Sequence, residues 1–130
     1  MSSILPPATQ YTQEDDLRWA GSGHGFNDAP SITLDGDLFT DADDFPDGQI
    51  RSGSPLGKVT ATGKFGPYDN TASDGRQTLV GLLPFGRKRE FAGQAIPAAL
   101  YEHGPVVESY LPLPVDSAGK TDVAGRLWFR

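Results

Sequence analysis

The residue types that most often carry chemistry are scarce in this chain of 130 residues. It holds two histidines, His24 and His103, and no cysteine. A protein zinc site draws three or four ligands mainly from cysteine, histidine and carboxylate side chains. No carboxylate spacing completes a ligand set around either histidine, and each lies next to a glycine, as turn residues often do. The sequence therefore predicts no metal centre and no cofactor.

The acidic segment Asp41–Gly48 (DADDFPDG) has the composition of a calcium-binding loop. A helix–loop–helix calcium site needs oxygen ligands at alternate positions, a glycine at the sixth and a distal glutamate. Phe45 falls on a ligand position, Pro46 replaces the glycine, and residues 49–54 contain no acid. This pattern favours a solvent-facing acidic loop. A calcium- or small-ligand-binding β-domain of the adhesion type, built on Asp41–Asp47, is the alternative function.

No arrangement of residues in the sequence predicts an enzyme. The glycine run Gly21–Gly25 lacks the preceding strand and following helix of a dinucleotide fingerprint, and Gly63-Lys64 is followed by Phe65 rather than by Ser or Thr. Adjacent carboxylates such as Asp43 and Asp44 point in different directions on a helix or a strand, so they form no acid–base pair. We predict no catalytic residue.

The distribution of charge excludes further classes of partner. Residues 1–50 hold ten acidic groups and one basic group, a net charge of −9, whereas residues 51–130 carry +3, together the formal −6 of the chain. An acidic first third repels nucleic acid, so we expect no direct binding to a genome. No apolar run reaches the length of a membrane span and the start lacks a signal-peptide pattern, so we expect a soluble protein made in the cytoplasm.

The elements that would position a site are short β-strands. The stretch Gln49–Leu83 opens and closes with β-prone apolar residues and is interrupted by a long loop rich in Gly, Pro, Asn and Asp, the residues that tight turns require. It predicts a bent β-ribbon, with strands at Lys58–Thr62 and Thr78–Leu83, around an ordered loop that packs through Phe65 and Tyr68.

Other segments predict a single mainly β domain with little helix. We expect an arm over residues 1–25 and a β-rich body over residues 26–130. Trp19, next to the glycine run, must dock on the body or on another chain. The remaining predicted elements are strands at Ser31–Leu34, Leu38–Thr40 and Arg126–Phe129, a hairpin of Pro97–Tyr101 with Val106–Tyr110 turned at His103-Gly104, and a helical turn within Val115–Ala124.

An ordered set of short motifs resembles the lambda-type head decoration proteins of tailed bacteriophages. The motifs are Thr62–Asp69 (TGKFGPYD), Asp74–Arg76 (DGR), Val80–Leu83 (VGLL) and Ala98–Val106 (AALYEHGPV). The resemblance spans roughly Trp19 to Phe129, and no single motif is specific. Two segments, Asp35–Asp47 and Gly86–Gln94, do not map onto the family pattern.

The resemblance implies a fold, a partner and a role. It implies a bent ribbon of the β-clip type that binds the major capsid protein as a homotrimer, at three-fold and quasi-three-fold positions on the outside of the expanded head. There it would stabilise the virion against the pressure of packaged DNA. An arm with the apolar anchors Tyr11, Leu17 and Trp19 would order on the capsid. The residues that carry the family's loop and hairpin would be Gly63, Gly66, Pro67, Tyr68, Asp69, Asp74, Gly75, His103 and Gly104.

Overall fold

A computed structural model describes residues 15–27 and 29–130, and within these ranges the protein is mainly β. The strands are short, because glycine and proline interrupt the apolar runs before they can lengthen. They are β1 Ser31–Asp35, β2 Gln49–Ile50, β3 Pro55–Lys58, β4 Phe65–Pro67, β5 Gly81–Leu82, β6 Arg87–Lys88, β7 Ala95–Ala99, β8 Gly104–Val106 and β9 Leu127–Phe129. Within the same residues α-helix is confined to α1 His24–Asn27 and α2 Ser117–Asp122. The prediction of a mainly β domain with little helix is confirmed.

The main sheet has five strands in the order β5-β3-β4-β1-β7. All its pairs are antiparallel except β1 with β4, which is parallel and places Leu34 opposite Phe65. Two smaller sheets complete the described part: β2 pairs antiparallel with β6, and β8 pairs parallel with β9.

The two ends of the stretch Gln49–Leu83 pair with each other as predicted, but the predicted strand Lys58–Thr62 is wrong, because the strand is Pro55–Lys58 and residues 60–62 form a turn. Leu56 of β3 lies opposite Gly81 of β5, in antiparallel register. The predicted loop between them is more regular than expected, because Phe65–Pro67 turns back as β4 and pairs with both β3 and β1. Phe65 is buried on this strand, which is how its aromatic mass orders the segment.

Several predicted elements are wrong in their pairing or type. Pro97–Tyr101 and Val106–Tyr110 do not form a hairpin: β7 pairs with β1, and β8 pairs with β9, which follows it by some twenty residues. His103-Gly104 therefore leads into β8 instead of turning a hairpin. The predicted strand Leu38–Thr40 is wrong: Leu38 ends a 3₁₀ turn at Gly36–Leu38, which the Asp35 side chain caps, and the two residues after it have no regular structure. Sequence pattern identifies apolar runs, but the choice of strand partner depends on contacts distant in sequence.

Two apolar clusters lie inside the domain. The first cluster combines residues in or next to the strands with two residues of the loop before β2. Its members are Leu34, Phe39, Phe45, Ile50, Leu56, Phe65, Leu83, Ile96 and Leu100. The second joins the beginning and the end of the described chain: Trp19, Leu79, Leu82, Tyr101, Val106, Val115, Val123 and Leu127. The second cluster shows that residues before the predicted boundary at residue 25 belong to the packed body.

Candidate functional site

The segment Asp15–Ala20, here called the arm root, is fixed to the body at several points. Trp19 is fully buried, and its ring packs edge-on against Tyr101 with centroids 4.8 Å apart. Its indole Nε1 donates to Ser52 Oγ at 3.0 Å, and that hydroxyl donates to the carbonyl of Pro84 at 2.7 Å. Ala20 forms an antiparallel bridge with Val106. The backbone and a buried hydrogen-bond chain thus hold the root in one place.

The burial of Trp19 corrects its assignment as an anchor on the capsid. The sequence left two docking sites open for this side chain, and it docks on its own domain, where it is fully buried. Leu17 is 39% exposed and stays available at the surface. Tyr11, the third predicted anchor, lies outside the described residues.

A surface cleft of about 480 Å³ opens beside the arm root and is here called the root cleft. Its walls come from residues 15, 16 and 18 of the root, from residues 49–52 and from residues 109–112, with Gly86 between them. Arg18 stacks over the ring of Tyr110, with its guanidinium carbon 4.5 Å from the centroid. The volume falls within the range of small-ligand and side-chain pockets, about 300–1,000 Å³.

Charges along the root cleft are mostly satisfied within the protein. Arg18 pairs with Asp16 at 2.8 Å, and hydrogen bonds from Arg18 lower the pKa of that exposed carboxyl to about 2. Asp15 Oδ1 accepts from the backbone N–H of Gly86 at 3.0 Å, and Arg51 donates to the carbonyl of Asp44 at 3.1 Å. The cleft therefore offers apolar and hydrogen-bonding surface more than net charge.

Exposed apolar side chains gather around the same region. Tyr110, 45% exposed, lines the root cleft, and Phe85, 39% exposed, directly precedes Gly86 in its wall. Phe85 packs on Phe26 with ring centroids 5.4 Å apart, and Phe26 packs on Trp19. Together with Leu17, Tyr110 and Phe85 form an exposed apolar surface around the arm root, and such surfaces are typical of binding sites.

The segment Gly63–Gly75, here called the motif loop, contains β4 and is also held by polar contacts beyond that strand. Tyr68 donates from its hydroxyl to Asp116 Oδ1 at 2.7 Å, and Asn70 Nδ2 donates to Asp116 Oδ2 at 2.8 Å. Asp116 also caps α2 by accepting from the N–H of Gly119 at 2.8 Å. The hydrogen bond from Tyr68 is the main cause of the lowered pKa of Asp116, and burial raises the pKa of Tyr68.

The remaining family-motif residues serve local structure. Asp69 accepts from the hydroxyl and then the backbone N–H of Thr71, and these hydrogen bonds lower the pKa of its carboxyl. Asp74 accepts from the backbone N–H of Arg76 at 3.1 Å and pairs with its side chain at 3.0 Å, and the backbone hydrogen bond is the main cause of the lowered pKa of Asp74. Gly63 and Gly75 have positive φ, as turns of this kind require. Gly66 and Pro67 lie within β4. The motif loop is thus a folded part of the body.

His103 and Gly104 lie at the start of β8, close to an exposed aromatic ring. The His103 imidazole contacts Trp128 edge-on, with centroids 5.1 Å apart, and Trp128 is 48% exposed. Gly104 has φ +142°, and an added Cβ would meet the hydroxyl of Tyr101. Glycine is therefore required here by close packing.

The acidic loop Asp41–Asp47 satisfies part of its charge locally. Asp41 Oδ1 accepts from the backbone N–H groups of Asp43 and Asp44 at 2.8 and 3.2 Å. Across residues 15–27 and 29–130, no three histidine, aspartate or glutamate side chains converge as ligands for a metal ion. Helices of the described chain are too short and too polar to cross a bilayer.

Sequence reasoning missed two groups of residues. Asp116 was detectable, since an aspartate directly before a helical turn is a preferred N-cap. The root cleft was not, because its walls come from three stretches that are more than thirty residues apart and meet only in the fold. Compared with known proteins, the chain matches no family model, and no curated protein matches it either.

Proposed function

We propose that this protein is a structural component of a bacteriophage head, a decoration protein that binds the outer surface of the expanded shell. The proposal assigns it no catalysis and no cofactor. Its partner is the major capsid protein, and it acts as a homotrimer at three-fold and quasi-three-fold positions of the virion. The motifs of the sequence that resemble the lambda-type family motivate this assignment.

The observation that carries the proposal is the fixed arm root. Trp19 is fully buried and Ala20 is bridged to β8, so the body holds the chain firmly from these residues onward. Fourteen residues of the sequence precede Asp15. An extended chain of that length spans about 45–50 Å, which is enough to reach a neighbouring subunit.

The surface around the root supports an interface. Leu17, Phe85 and Tyr110 are each between 39% and 45% exposed there, and buried aromatics carry much of the energy of protein interfaces. A mainly β body with an N-terminal segment that contacts the shell can bind one state of the capsid lattice in preference to another. Such preferential binding stabilises the favoured state by mass action. The favoured state here is the expanded shell.

Co-sedimentation with empty heads tests the proposal directly. Expanded heads are expected to bind the protein saturably, whereas unexpanded heads bind it much more weakly. Light scattering measures whether the free protein is a trimer, and the copy number of the protein in purified virions completes the test. The copy number is expected to approach that of the major capsid protein.

Two results would overturn the proposal. One is the absence of the chain from purified virions. The other is equal binding to expanded and unexpanded heads, which would remove the stabilising role even if the protein were present. Calcium titration by calorimetry discriminates the adhesion-type alternative based on Asp41–Asp47, and a flat response is expected because Asp41 is already engaged by backbone N–H groups.

A further inference from the structure

The sequence contains one reactive dipeptide, aspartate followed by glycine, at three places: Asp35-Gly36, Asp47-Gly48 and Asp74-Gly75. In this dipeptide the glycine nitrogen can attack the Cγ atom of the aspartate, because glycine has no side chain to hinder the approach. A C–N bond forms, and the carboxyl hydroxyl leaves with the amide proton as water. Water then opens the resulting succinimide ring at either carbonyl, which gives back aspartate or gives isoaspartate.

The fold holds the first of these dipeptides on both sides of the reacting bond. Gly36 is buried, and its N–H donates to the carbonyl of Gln94 at 2.8 Å, a partner that is distant in sequence. The Asp35 carboxylate accepts from the N–H of Asp37 at 3.1 Å. The nitrogen and the carboxyl group therefore each have a partner that keeps them apart.

The dipeptide Asp74-Gly75 is held in a different way. The Asp74 carboxylate accepts from the backbone N–H and from Nε of Arg76, at 3.1 and 3.0 Å, and the backbone bond is the main cause of its lowered pKa. A lowered pKa keeps the carboxyl ionised, and an ionised carboxyl has no hydroxyl to lose. The carbonyl of Asp74 also accepts from the N–H of Thr60 at 2.9 Å, which fixes the peptide plane before Gly75.

The dipeptide Asp47-Gly48 lies in a strained and exposed turn. Asp47 is exposed and has φ +55° and ψ +27°, and it is the one non-glycine residue with positive φ in the described part of the chain. Attack on Cγ needs a different ψ, so the strain of the left-handed conformation is released as the reaction begins. The Gly48 N–H donates only within the turn, to the carbonyl of Phe45 at 3.0 Å.

We propose that Asp47-Gly48 is the site at which the folded protein isomerises to isoaspartate, ahead of the other two dipeptides. The reaction routes the main chain through Cβ and Cγ of Asp47 and lengthens it by one carbon just before β2. The carbonyl of Gly48 accepts from the N–H of Arg89 at 2.8 Å, and β2 pairs with β6, so the added carbon alters the pairing of these strands. This goes beyond the proposed function, since the reaction needs only the chain and water.

Ageing of the full-length protein at neutral pH, below its unfolding temperature, tests the inference. Peptide mass spectrometry with electron-transfer fragmentation distinguishes the two isomers at each aspartate. Asp47 is expected to isomerise about tenfold faster than Asp35 or Asp74 in the folded protein. In concentrated urea the three rates are expected to converge, because the same dipeptide is then free at all three places.

The variant Asp47→Glu is the matched control, because it keeps the charge but would have to close a larger ring. Aged wild type is expected to show shifted backbone amide NMR signals at residues 49–50 and 87–88, and aged Asp47→Glu is expected to show none. The inference is overturned by a rate at Asp47 no higher than at the other two aspartates in the folded protein. A rate order that persists in urea also overturns it, because the fold would then not be its cause. Neither result bears on shell binding, which is measured separately with heads.

Discussion

At the scale of single residues, Trp19 shows how one side chain decides where the body begins. Its indole is fully buried and its N–H is satisfied by Ser52, itself 5% exposed. The sequence predicts that this ring packs on the body or on another chain, because a tryptophan beside a glycine run cannot bury itself locally. It could not choose between the body and a partner, because Ser52 and Tyr101 meet Trp19 only in the folded chain.

The first prediction concerns this buried tryptophan. Trp19→Ala is expected to lower the free energy of unfolding by about 3–5 kcal/mol, because it leaves a cavity in the second apolar cluster. Ser52→Ala is expected to cost about 1–3 kcal/mol, since it leaves the indole N–H buried without an acceptor. Urea unfolding followed by circular dichroism measures both.

Trp128 provides the matched control, as the other tryptophan of the chain. It is 48% exposed and contacts His103 at its edge, so Trp128→Ala is expected to cost no more than about 1 kcal/mol. Equal losses for Trp19→Ala and Trp128→Ala would contradict the placement of Trp19 in the core.

A second prediction concerns the pH dependence that Asp116 contributes. Hydrogen bonds from Tyr68 and then from Gly119 lower the pKa of this carboxyl in the folded protein. A lowered folded pKa stabilises the fold above the unfolded pKa, about 3.9, and this stabilisation is lost as the pH falls through the folded value. Acidification is therefore expected to remove the contribution of Asp116.

The variants Asp116→Asn and Asp116→Ala separate charge from capping. Asparagine is an equally good N-cap, so the gap in unfolding free energy between wild type and Asp116→Asn is expected to narrow as the pH falls below about 4. Asp116→Ala is expected to cost about 0.5–2 kcal/mol at neutral pH through the lost cap. A gap between wild type and Asp116→Asn that stays constant from pH 7 to pH 2 would refute the role of the charge.

At the scale of elements, two glycines of the motif loop differ in how closely the surrounding backbone packs against them. An added Cβ at Gly75 would collide with the carbonyl of Lys58 at the end of β3, and Gly75 has φ +118°. Gly63 also has positive φ, +74°, but has no atom within 4 Å of that position. The pair therefore separates backbone strain from close packing.

The third prediction uses that pair of glycines. Gly63→Ala is expected to cost about 1–2 kcal/mol from the left-handed backbone alone. Gly75→Ala is expected to cost a further 1–3 kcal/mol or so, because β3 must move to admit the methyl group. Gly23→Ala, with no positive φ and open space around it, controls for the substitution itself. Thermal and urea unfolding of the three variants give the comparison, and equal costs at Gly63 and Gly75 would contradict the packing of the motif loop on β3.

The pairing of β7 is the element that sequence reasoning placed wrongly. The apolar run was recognised, and α2 and β9 were also found close to their predicted positions. Sequence proximity suggested a hairpin with Val106–Tyr110, but β7 pairs with β1, which precedes it by some sixty residues. Short alternating runs have no unique partner, so register is decided by which face is buried in the complete sheet.

Engineered disulfides distinguish the two pairings, in a fourth prediction. Ser31 and Ala99 are direct partners, flanked by the bond from Leu100 N–H to Pro30 carbonyl, so they form a closely spaced non-hydrogen-bonded pair. Ser31→Cys with Ala99→Cys is therefore expected to form a disulfide on mild oxidation. Ala99→Cys with Glu108→Cys, partners in the hairpin predicted from sequence, is expected to stay reduced. The chain has no native cysteine to compete, and the reverse result would restore the hairpin.

At the scale of the whole molecule, the fold places the first described residues, the root cleft and an exposed apolar surface side by side. The mainly β class was predictable from composition and turn residues, because glycine and proline leave little room for long helices. The position of the candidate surface was not, since the arm root becomes part of the body only by inserting Trp19 into a cluster that includes Val123 and Leu127 from near the other end of the chain. The position of the arm root and its attachment to the body therefore depend on contacts that form only in the folded domain.

Two truncations separate the expected role of residues 1–14 in shell binding from the role of the arm root in stability. Removing residues 1–14 leaves Trp19 and Ala20 in place, so the free energy of unfolding is expected to stay within about 0.5 kcal/mol of the full chain. Removing residues 1–20 deletes Trp19 as well, and the loss of about 3–5 kcal/mol is a large part of the total stability of a domain, about 5–15 kcal/mol. On the proposed function, the shorter truncation is expected to lose saturable binding to expanded heads while remaining folded, as judged by circular dichroism and co-sedimentation. Full binding by that truncation would show that the body alone recognises the shell, because fourteen residues would then contribute nothing to the contact.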